Sequence, residues 1–338
     1  MEPWQIILII IASYLVVMII YSIIVYLLVN KSIGRRTDKN PLLRYFTAED
    51  YPNLSATPLS FTNRKGVTLR GFIYDKKETK SDSLILFFHG FGAGHQAYTT
   101  LINDLVETLN LPVATFDYTG CDLSDGKKIP NTLQALSDGH DFLRYIVSQP
   151  AFQNRKLILV GHSWGGFVAT NLLPFNPDKN ITRVISLSGV TDFPLIYRMS
   201  TKAPAIFIPI NNLINYFRYG PLAFATTKKS IKDTKIPHLF IHGEQDESIK
   251  FNPFVSVLVL QSDKYHRVKF HIEKDKYHNV YLSKESEESL RNLQKNLKAL
   301  RRHPHDDTYR TFIKAFDFNT AVINDPNILK IIQSFVRG

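Results

Sequence analysis

The sequence is poor in cysteine: Cys121 is the only one in 338 residues. A single thiol excludes an intramolecular disulfide framework and a zinc site built from several cysteines. The histidines show no metal-ligand spacing with acidic partners, so neither a metal nor another cofactor is expected. Internal repeats and low-complexity tracts are lacking too, which leaves an ordinary folded chain as the expectation.

Acidic residues are outnumbered, and the formal net charge is +11. A basic chain could bind nucleic acid, but no zinc-finger, RNA-recognition or basic-zipper pattern accompanies the charge, so no nucleic-acid partner is predicted. With 44% hydrophobic residues, the chain can bury the core of one large α/β domain with an appendage. The apolar first segment favours an anionic membrane surface as the partner of this positive charge.

Charged residues are absent from Ile6 to Val29. A helix over this stretch would be about 36 Å long at ~1.5 Å per residue, enough to span a bilayer. Trp4 and Tyr26 lie near its ends, where aromatic side chains favour the headgroup region. A cleaved signal peptide is the competing interpretation, but no basic segment precedes the stretch and no small-x-small site follows it. We therefore expect residues 1–30 to form a transmembrane anchor.

The charges flanking this segment predict its orientation. Only Glu2 precedes it, whereas five basic residues follow it: Lys31, Arg35, Arg36, Lys39 and Arg44. Because basic flanks stay in the cytoplasm, we expect a single-pass protein of the cell membrane with the rest of the chain inside. Residues 31–58 then form a basic, partly extended juxtamembrane linker close to anionic lipid, and residues 59–338 form the domain.

From residue 59 onward, apolar runs alternate with helical patterns. An antiparallel hairpin is predicted at 59–62 and 67–74, and further strands at 83–88, 112–116, 157–160, 183–188, 238–242 and 267–272. The run 83–88 is continuously apolar, which is typical of a strand buried on both faces. The alternation predicts an α/β fold with a mostly parallel, doubly wound sheet.

One strand ends abruptly in Gly161-His162-Ser163-Trp164-Gly165, and a helical pattern follows. In a strand-turn-helix context, the turn forces the serine into strained backbone and the flanking glycines leave room for it. The free amides at the start of the helix point at the same place and would stabilise an anion there. Ser163 is thus the candidate nucleophile. The alternative is a glycine-rich connection with a solvated serine.

Two further residues follow strands of the same predicted sheet. Asp246 follows the strand 238–242 and His278 follows the strand 267–272. The carboxyl ends of parallel strands meet at one edge, where ligands gather. A serine hydroxyl needs an imidazole to take its proton and a carboxylate to orient that imidazole, so Ser163, His278 and Asp246 are predicted to act together. Asp192, after the strand 183–188, is the alternative acid.

These motifs, with His89-Gly90-Phe91-Gly92 upstream and His242-Gly243-Glu244-Gln245-Asp246 downstream, resemble the α/β-hydrolase superfamily over roughly residues 59–300. The likeness is strongest to its esterase, monoacylglycerol-lipase-like and serine-aminopeptidase-like branches. It implies the α/β-hydrolase fold, with Ser163 as nucleophile, Asp246 as acid and His278 as base. It also implies an oxyanion hole made by the backbone amides of Phe91 and Trp164, and no cofactor or metal.

Between residues 193 and 235 the strand-helix alternation lapses. An insertion at this point resembles the cap that covers the site in many relatives. Its apolar stretch 203–210 is too short and too interrupted by proline to span a membrane. It could line an acyl pocket, rest on a bilayer, or form an ordinary amphipathic packing helix.

The expected function is a membrane-anchored serine hydrolase that cleaves a small amphiphilic or lipid-like acyl ester. One alternative is a serine-aminopeptidase-like peptidase, which needs an acidic group near the insertion to hold the substrate ammonium. Between Asp178 and Glu244 the only carboxylates are Asp192 and Asp233, which lowers its odds. The other alternative is a catalytically silent, membrane-bound binding module, against which the intact serine, acid and histidine argue.

Overall fold

A single sheet of eight strands organises the chain in this computed structural model, which describes residues 1–76, 81–92, 94–175, 180–232 and 234–338. Asp178 and Asp233 lie outside the described residues. The strands are β1 (Leu54–Thr62), β2 (Thr68–Lys76), β3 (Ser83–Phe88), β4 (Val113–Phe116), β5 (Lys156–His162), β6 (Ile181–Leu187), β7 (His238–Gly243) and β8 (Val268–Glu273). They lie in the order β1-β2-β4-β3-β5-β6-β7-β8.

The sheet is parallel except at its first edge, where β1 pairs antiparallel with β2 and β2 with β4. The predicted doubly wound sheet entered through a hairpin is confirmed. The first strand begins at Leu54, earlier than the predicted start at 59, because the pairing with β2 continues from Leu59 back to Leu54. Pro58 is accommodated since β1 is an edge strand, where an amide can remain unpaired. The end of the predicted linker thus belongs to the sheet.

The helices that cover the sheet lie on both of its faces. The helices of the chain are α1 (Pro3–Ile33), α2 (Thr99–Leu109), α3 (Leu133–Ser148), α4 (Trp164–Asn171), α5 (Phe193–Thr201), α6 (Phe207–Tyr219), α7 (Thr227–Lys232), α8 (Ser256–Val259), α9 (Lys284–Arg302), α10 (Asp307–Lys314), α11 (Phe318–Ala321) and α12 (Pro326–Arg337). Along β3, Leu84, Leu86 and Phe88 pack with α3 and α4, whereas Ile85 and Phe87 pack with α2 and α12. This alternation buries both faces, as the apolar run predicted.

Helix α1 is 31 residues long, about 46 Å at 1.5 Å per residue. Its mean hydropathy reaches 2.9 over an 18-residue window, only 6% of which is buried. Among the described residues it is the one helix long and apolar enough to cross a membrane, by length and composition. Its last third contacts the domain, since Val25 is buried against Ala203 and Phe207.

The segment after α1 is bonded to the domain within a few residues. Arg36 donates through Nη1 to the carbonyl oxygens of Ser124 and Gly126, both at 2.9 Å. Thr37 donates its amide to the carbonyl of Gly120 at 3.0 Å and accepts the amide of Asp122 at 2.9 Å. The first part of the predicted extended linker is therefore fixed, because it donates hydrogen bonds to carbonyl oxygens of the loop near Gly120.

The insertion between β6 and β7 is helical and consists of α5, α6 and α7. It packs on the face of the sheet that carries α3 and α4, where Tyr219 and Leu222 join that core. The C-terminal helices lie on the other side: Ile328 and Ile332 of α12 join the core beneath α2. The charged segment 286–300 lies within α9, and the segment 326–336 lies within α12.

Candidate active site

Ser163 lies between the end of β5 and the start of α4, with φ 55° and ψ −114°. This left-handed backbone is rare for a residue with a side chain and is typical of a serine held at a strained turn. Glycine is required beside it, because a Cβ added to Gly161 would lie 2.1 Å from the carbonyl oxygen of Gly165. Ser163 retains 9% of its surface accessible, and its amide donates to the carbonyl of Leu187 at 2.8 Å.

A chain of hydrogen bonds links Ser163, His278 and Asp246. His278 Nε2 lies 2.9 Å from Ser163 Oγ, and His278 Nδ1 lies 2.8 Å from Asp246 Oδ2. The other carboxylate oxygen of Asp246 accepts the amides of Ser248 and Ile249, both at 2.8 Å. Burial alone would raise the pKa of Asp246, but the hydrogen bond and charge of His278 outweigh it and lower that pKa. The carboxylate is thus kept ionised beside the imidazole.

Asp192, the alternative acid, is placed differently. Its carboxylate accepts the amide of Leu195 at 2.9 Å and caps the N-terminus of α5. Burial raises the pKa of Asp192. Because the Nδ1 atom of His278 is already bonded to Asp246, the structure brings the first-choice acid to the histidine and leaves Asp192 in a structural position.

The predicted oxyanion donors, the amides of Trp164 and Phe91, border the same place. Trp164 is the first residue of α4, and amides in the first turn of a helix have no partner within the helix. Phe91 lines the cavity at Ser163, and its ring lies 5.6 Å from that of Trp164. The Trp164 indole donates to the carbonyl of Thr132 at 2.8 Å, which fixes the side chain. Their role as oxyanion donors stays a prediction.

Comparison with known families now adds to this geometry. Residues 83–220, which contain β3 to β6 and the turn at Ser163, match the family model described as the alpha/beta hydrolase fold. The chain has the α/β-hydrolase fold, and residues 83–220 are similar to this family.

Solved structures share this fold. The esterase Pf2001 of Pyrococcus furiosus superposes with a TM-score of 0.55 at 16% identity, over 80% of this chain and 97% of that one. Est1E of Butyrivibrio proteoclasticus, solved with bound ferulic acid, gives a TM-score of 0.52 at 21% identity, over 66% of this chain and 91% of that one. Protein bem46 of Schizosaccharomyces pombe is 27% identical over 199 residues, or 58% of this chain, and the match spans only 62% of bem46.

Two side chains to which the sequence analysis gave no role, His162 and Glu287, hold the loop that carries His278. His162, beside the nucleophile, donates from Nε2 to the carbonyl of His278 at 3.0 Å, and its Nδ1 lies 2.9 Å from the hydroxyl of Tyr98. Burial, followed by the charge of His278, lowers the pKa of His162 to about 3. His162 is therefore a neutral support of the loop that carries His278.

Glu287 supports the same loop from the other side. It is 1% exposed at the start of α9, and its carboxylate accepts the amides of Tyr277 at 3.0 Å and Asn279 at 2.5 Å. These amides flank His278 on either side. Burial raises the pKa of Glu287, while the two amides oppose that rise. Nothing in the sequence pattern distinguishes Glu287 from the other glutamates of a charged helix, so it could not be assigned from the sequence.

A cavity of about 810 Å³ opens at Ser163 and His278. Part of its wall comes from α9, which contributes Arg291, Asn292, Gln294, Lys295 and Lys298. No described residue of the insertion 193–235 lines it. The expectation that the insertion covers the site is thus not met at this cavity, because the insertion packs on the opposite face of the sheet from α12.

An apolar groove of about 270 Å³ adjoins this cavity, with which it shares Ala97, Tyr98, Tyr281 and Gln294. We use the name apolar groove for the space lined by Leu43, Phe46, Leu101, Leu282, Leu290, Leu293, Leu297, Phe318 and Val322 together with the shared residues. Its wall combines the segment that follows α1 with α9 and α11. Within the described ranges, no group of three or more histidine, cysteine or acidic side chains could hold a metal.

Proposed function

We propose that this chain is a membrane-anchored serine hydrolase that cleaves carboxylic acyl esters. The observation that carries the proposal is the hydrogen-bonded sequence from Ser163 through His278 to Asp246, at a serine held with positive φ. A nucleophile, its base and the group that orients the base are all within hydrogen-bond reach, which is what covalent acyl transfer requires.

In the proposed reaction, Ser163 Oγ attacks the ester carbonyl as His278 Nε2 takes its proton. The amides of Trp164 and Phe91 stabilise the oxyanion of the tetrahedral intermediate. His278 then protonates the leaving alcohol, and the acyl group stays on Ser163. Water attacks this acyl-enzyme with His278 again as base, which releases the acid and restores the serine. Asp246 stays ionised and stabilises the imidazolium throughout.

The apolar groove supports an ester with a hydrocarbon acyl chain. Ala97 and Gln294 line both the groove and the catalytic cavity, so the two spaces adjoin at a rim that these residues share. A chain that passes this rim would leave water for leucine and phenylalanine side chains. Each methylene buried there is worth about 0.8 kcal/mol, or roughly fourfold in kcat/KM. The groove is thus a better acyl site than the insertion, which lines neither cavity among its described residues.

The test uses the full chain in detergent or native membranes with a fluorophosphonate serine probe. Labelling should require Ser163 and His278, so Ser163→Ala and His278→Ala should remove it, and Asp246→Asn should slow it strongly. The matched control Asp192→Asn should be labelled like the wild type. If the folded wild type resists the probe and hydrolyses no ester in a series graded by acyl length, the chain is the silent binding module.

The aminopeptidase alternative needs a free carboxylate in the cavity to hold a substrate ammonium. Glu247 and Glu287 are carboxylates that line the cavity. Glu247 pairs with Arg291 at 3.1 Å, and Glu287 accepts two amides. Both are thus already engaged, which favours the ester. Cleavage of amino-acyl amides in preference to acyl esters would reverse this choice.

Anchoring by α1, with the domain in the cytoplasm, is part of the proposal. It is supported by the length and exposure of α1 and by the basic residues that follow it. The expected result is that the protein stays with membranes after alkaline carbonate washing. A protease added outside intact cells should leave the domain whole, and removal of the domain would reverse the orientation.

A further inference from the structure

Helix α6 of the insertion buries two asparagines and exposes three large apolar side chains. Its buried side holds Asn211 and Asn215, which are 5% and 3% exposed, together with Phe207 and Tyr219. Its outer side exposes Leu213, Tyr216 and Phe217, at 56%, 46% and 83%. We call these last three residues the outer face of α6, since their spacing places them on one side of the helix. A surface helix in water normally buries the apolar side.

Asn215, one of these two asparagines, is hydrogen-bonded to the end of α1. Its Oδ1 accepts the hydroxyl of Tyr26 at 3.1 Å and the side-chain amide of Asn131 at 3.0 Å. The same Asn131 amide donates to Asn30 Oδ1 at 2.9 Å. The buried side of α6 therefore takes part in a hydrogen-bonded contact with α1, and this contact determines which side of α6 is left facing outward.

The contact also fixes the depth of α6. Crossing about 30 Å of hydrocarbon takes about 20 residues at 1.5 Å each. Counted from Ile6, the first residue of the uncharged stretch, the hydrocarbon layer ends near Val25. Val25 is the residue packed against Ala203 and Phe207, at the start of α6. A span formed by α1 would thus bring α6 to the surface of the bilayer.

The charge of the insertion suits an anionic surface. Residues 193–235 contain seven basic residues and one acidic residue, Asp233. Arg218 follows the outer face directly. Lys229 Nζ lies 5.7 Å from the ring of Phe224, which is itself 41% exposed. Aromatic side chains with neighbouring cations are the pattern of a helix that lies in the headgroup region.

We propose that the outer face of α6 lies on an anionic bilayer, so that the chain holds the membrane through two elements, a span and an interfacial helix. This inference rests on the proposed anchoring by α1 and is independent of the proposed hydrolysis. The two hydrophobic contacts would fix the rotation of the domain about the membrane normal, which α1 alone would leave free.

The experiment places a fluorophore at Phe217→Cys in the full chain, reconstituted in phosphatidylglycerol-phosphatidylcholine vesicles. Native Cys121 is fully buried and should not react. The matched control is Ile323→Cys, which is 51% exposed near α12 on the other face of the sheet. Lipids with a spin label near the headgroup end of the acyl chain should quench the label at 217 by at least about twofold and leave the control unchanged.

A second variant guards against a label that disturbs packing. With the fluorophore at Leu213→Cys, the added change Phe217→Asp should reduce the quenching about twofold while thermal unfolding stays the same. Quenching at 217 no stronger than at 323 would overturn the proposal. Label-to-label energy transfer between molecules, without lipid quenching, would also overturn it, since a second copy would then cover this face.

Discussion

The insertion and the C-terminal helices lie on opposite faces of the sheet, and they differ in what they contribute to the site. The C-terminal helix α9 lines the cavity at Ser163 and supports the His278 loop through Glu287. The described residues of the insertion contact α1 and the core beside α3 but line neither the cavity nor the apolar groove. An insertion at the usual position of a cap therefore need not be the element that shapes the substrate site.

The largest expected effect concerns the centre that both regions surround. Ser163→Ala should lower kcat for a short acyl ester by at least about 10⁴-fold, because nucleophile and base act as one unit. His278→Ala should lower kcat by a similar factor. The kcat of the double variant should be little lower than that of either single variant. Esterase assays with the purified full chain measure this. Additive losses would show that the two residues do not work together.

A smaller loss is expected from the support that α9 gives. Glu287→Leu leaves two buried amides beside His278 without an acceptor, at about 1–3 kcal/mol each. A displaced base should lower kcat by about a hundredfold with little change in KM. Glu287→Gln keeps one acceptor and should recover part of the rate. Equal loss of kcat in both variants, with unchanged folding, would contradict a positioning role.

A bulky substitution in the apolar groove tests directly whether the acyl chain binds beside α9 or at the insertion. Leu297→Trp should lower kcat/KM for octanoyl esters by about tenfold, since several methylenes lose their site at about 0.8 kcal/mol each. Acetyl esters should change less than about twofold, because they do not reach the groove. The matched variant Leu213→Trp, on the outer face of α6, should leave the chain-length profile unchanged. The reverse pattern would assign the acyl site to the insertion.

The smallest expected effect is on the pH profile. The pKa of Asp246 is lowered and that of His162 is about 3, so neither group changes charge between about pH 5 and pH 9. Activity should rise with pH as the base loses its proton, since it must be unprotonated to act, and Asp246 and His162 should add no ionisation of their own. A second ionisation on the acid side of the kcat/KM profile should come from Glu287, whose pKa is raised by burial, and should be lost in Glu287→Gln. If it persists in that variant, Asp246 or His162 titrates in this range.

Sequence reasoning predicted the sheet, and it predicted that three side chains meet at its edge because each follows an apolar parallel strand. Ser163, Asp246 and His278 lie 83 and 32 positions apart along the chain, yet topology alone brings strand ends together. Glu287 and Tyr98 were not assigned, since their roles depend on contacts between segments that are distant in the sequence. The apolar residues of α9 are compatible with packing on many partners, so they could not indicate that Leu43 and Phe318 would lie across a groove from it.

The bonds of Arg36 and Thr37 to the loop near Gly120 begin within four residues of the end of α1 at Ile33. A connection this short leaves the domain little freedom to move away from α1. With α1 in a bilayer, Ser163 would sample only the layer of solution and lipid next to the membrane, where amphiphiles collect. The effective concentration of substrate would then be that of the membrane surface rather than of bulk solution, so the number of substrate molecules encountered would depend on membrane composition.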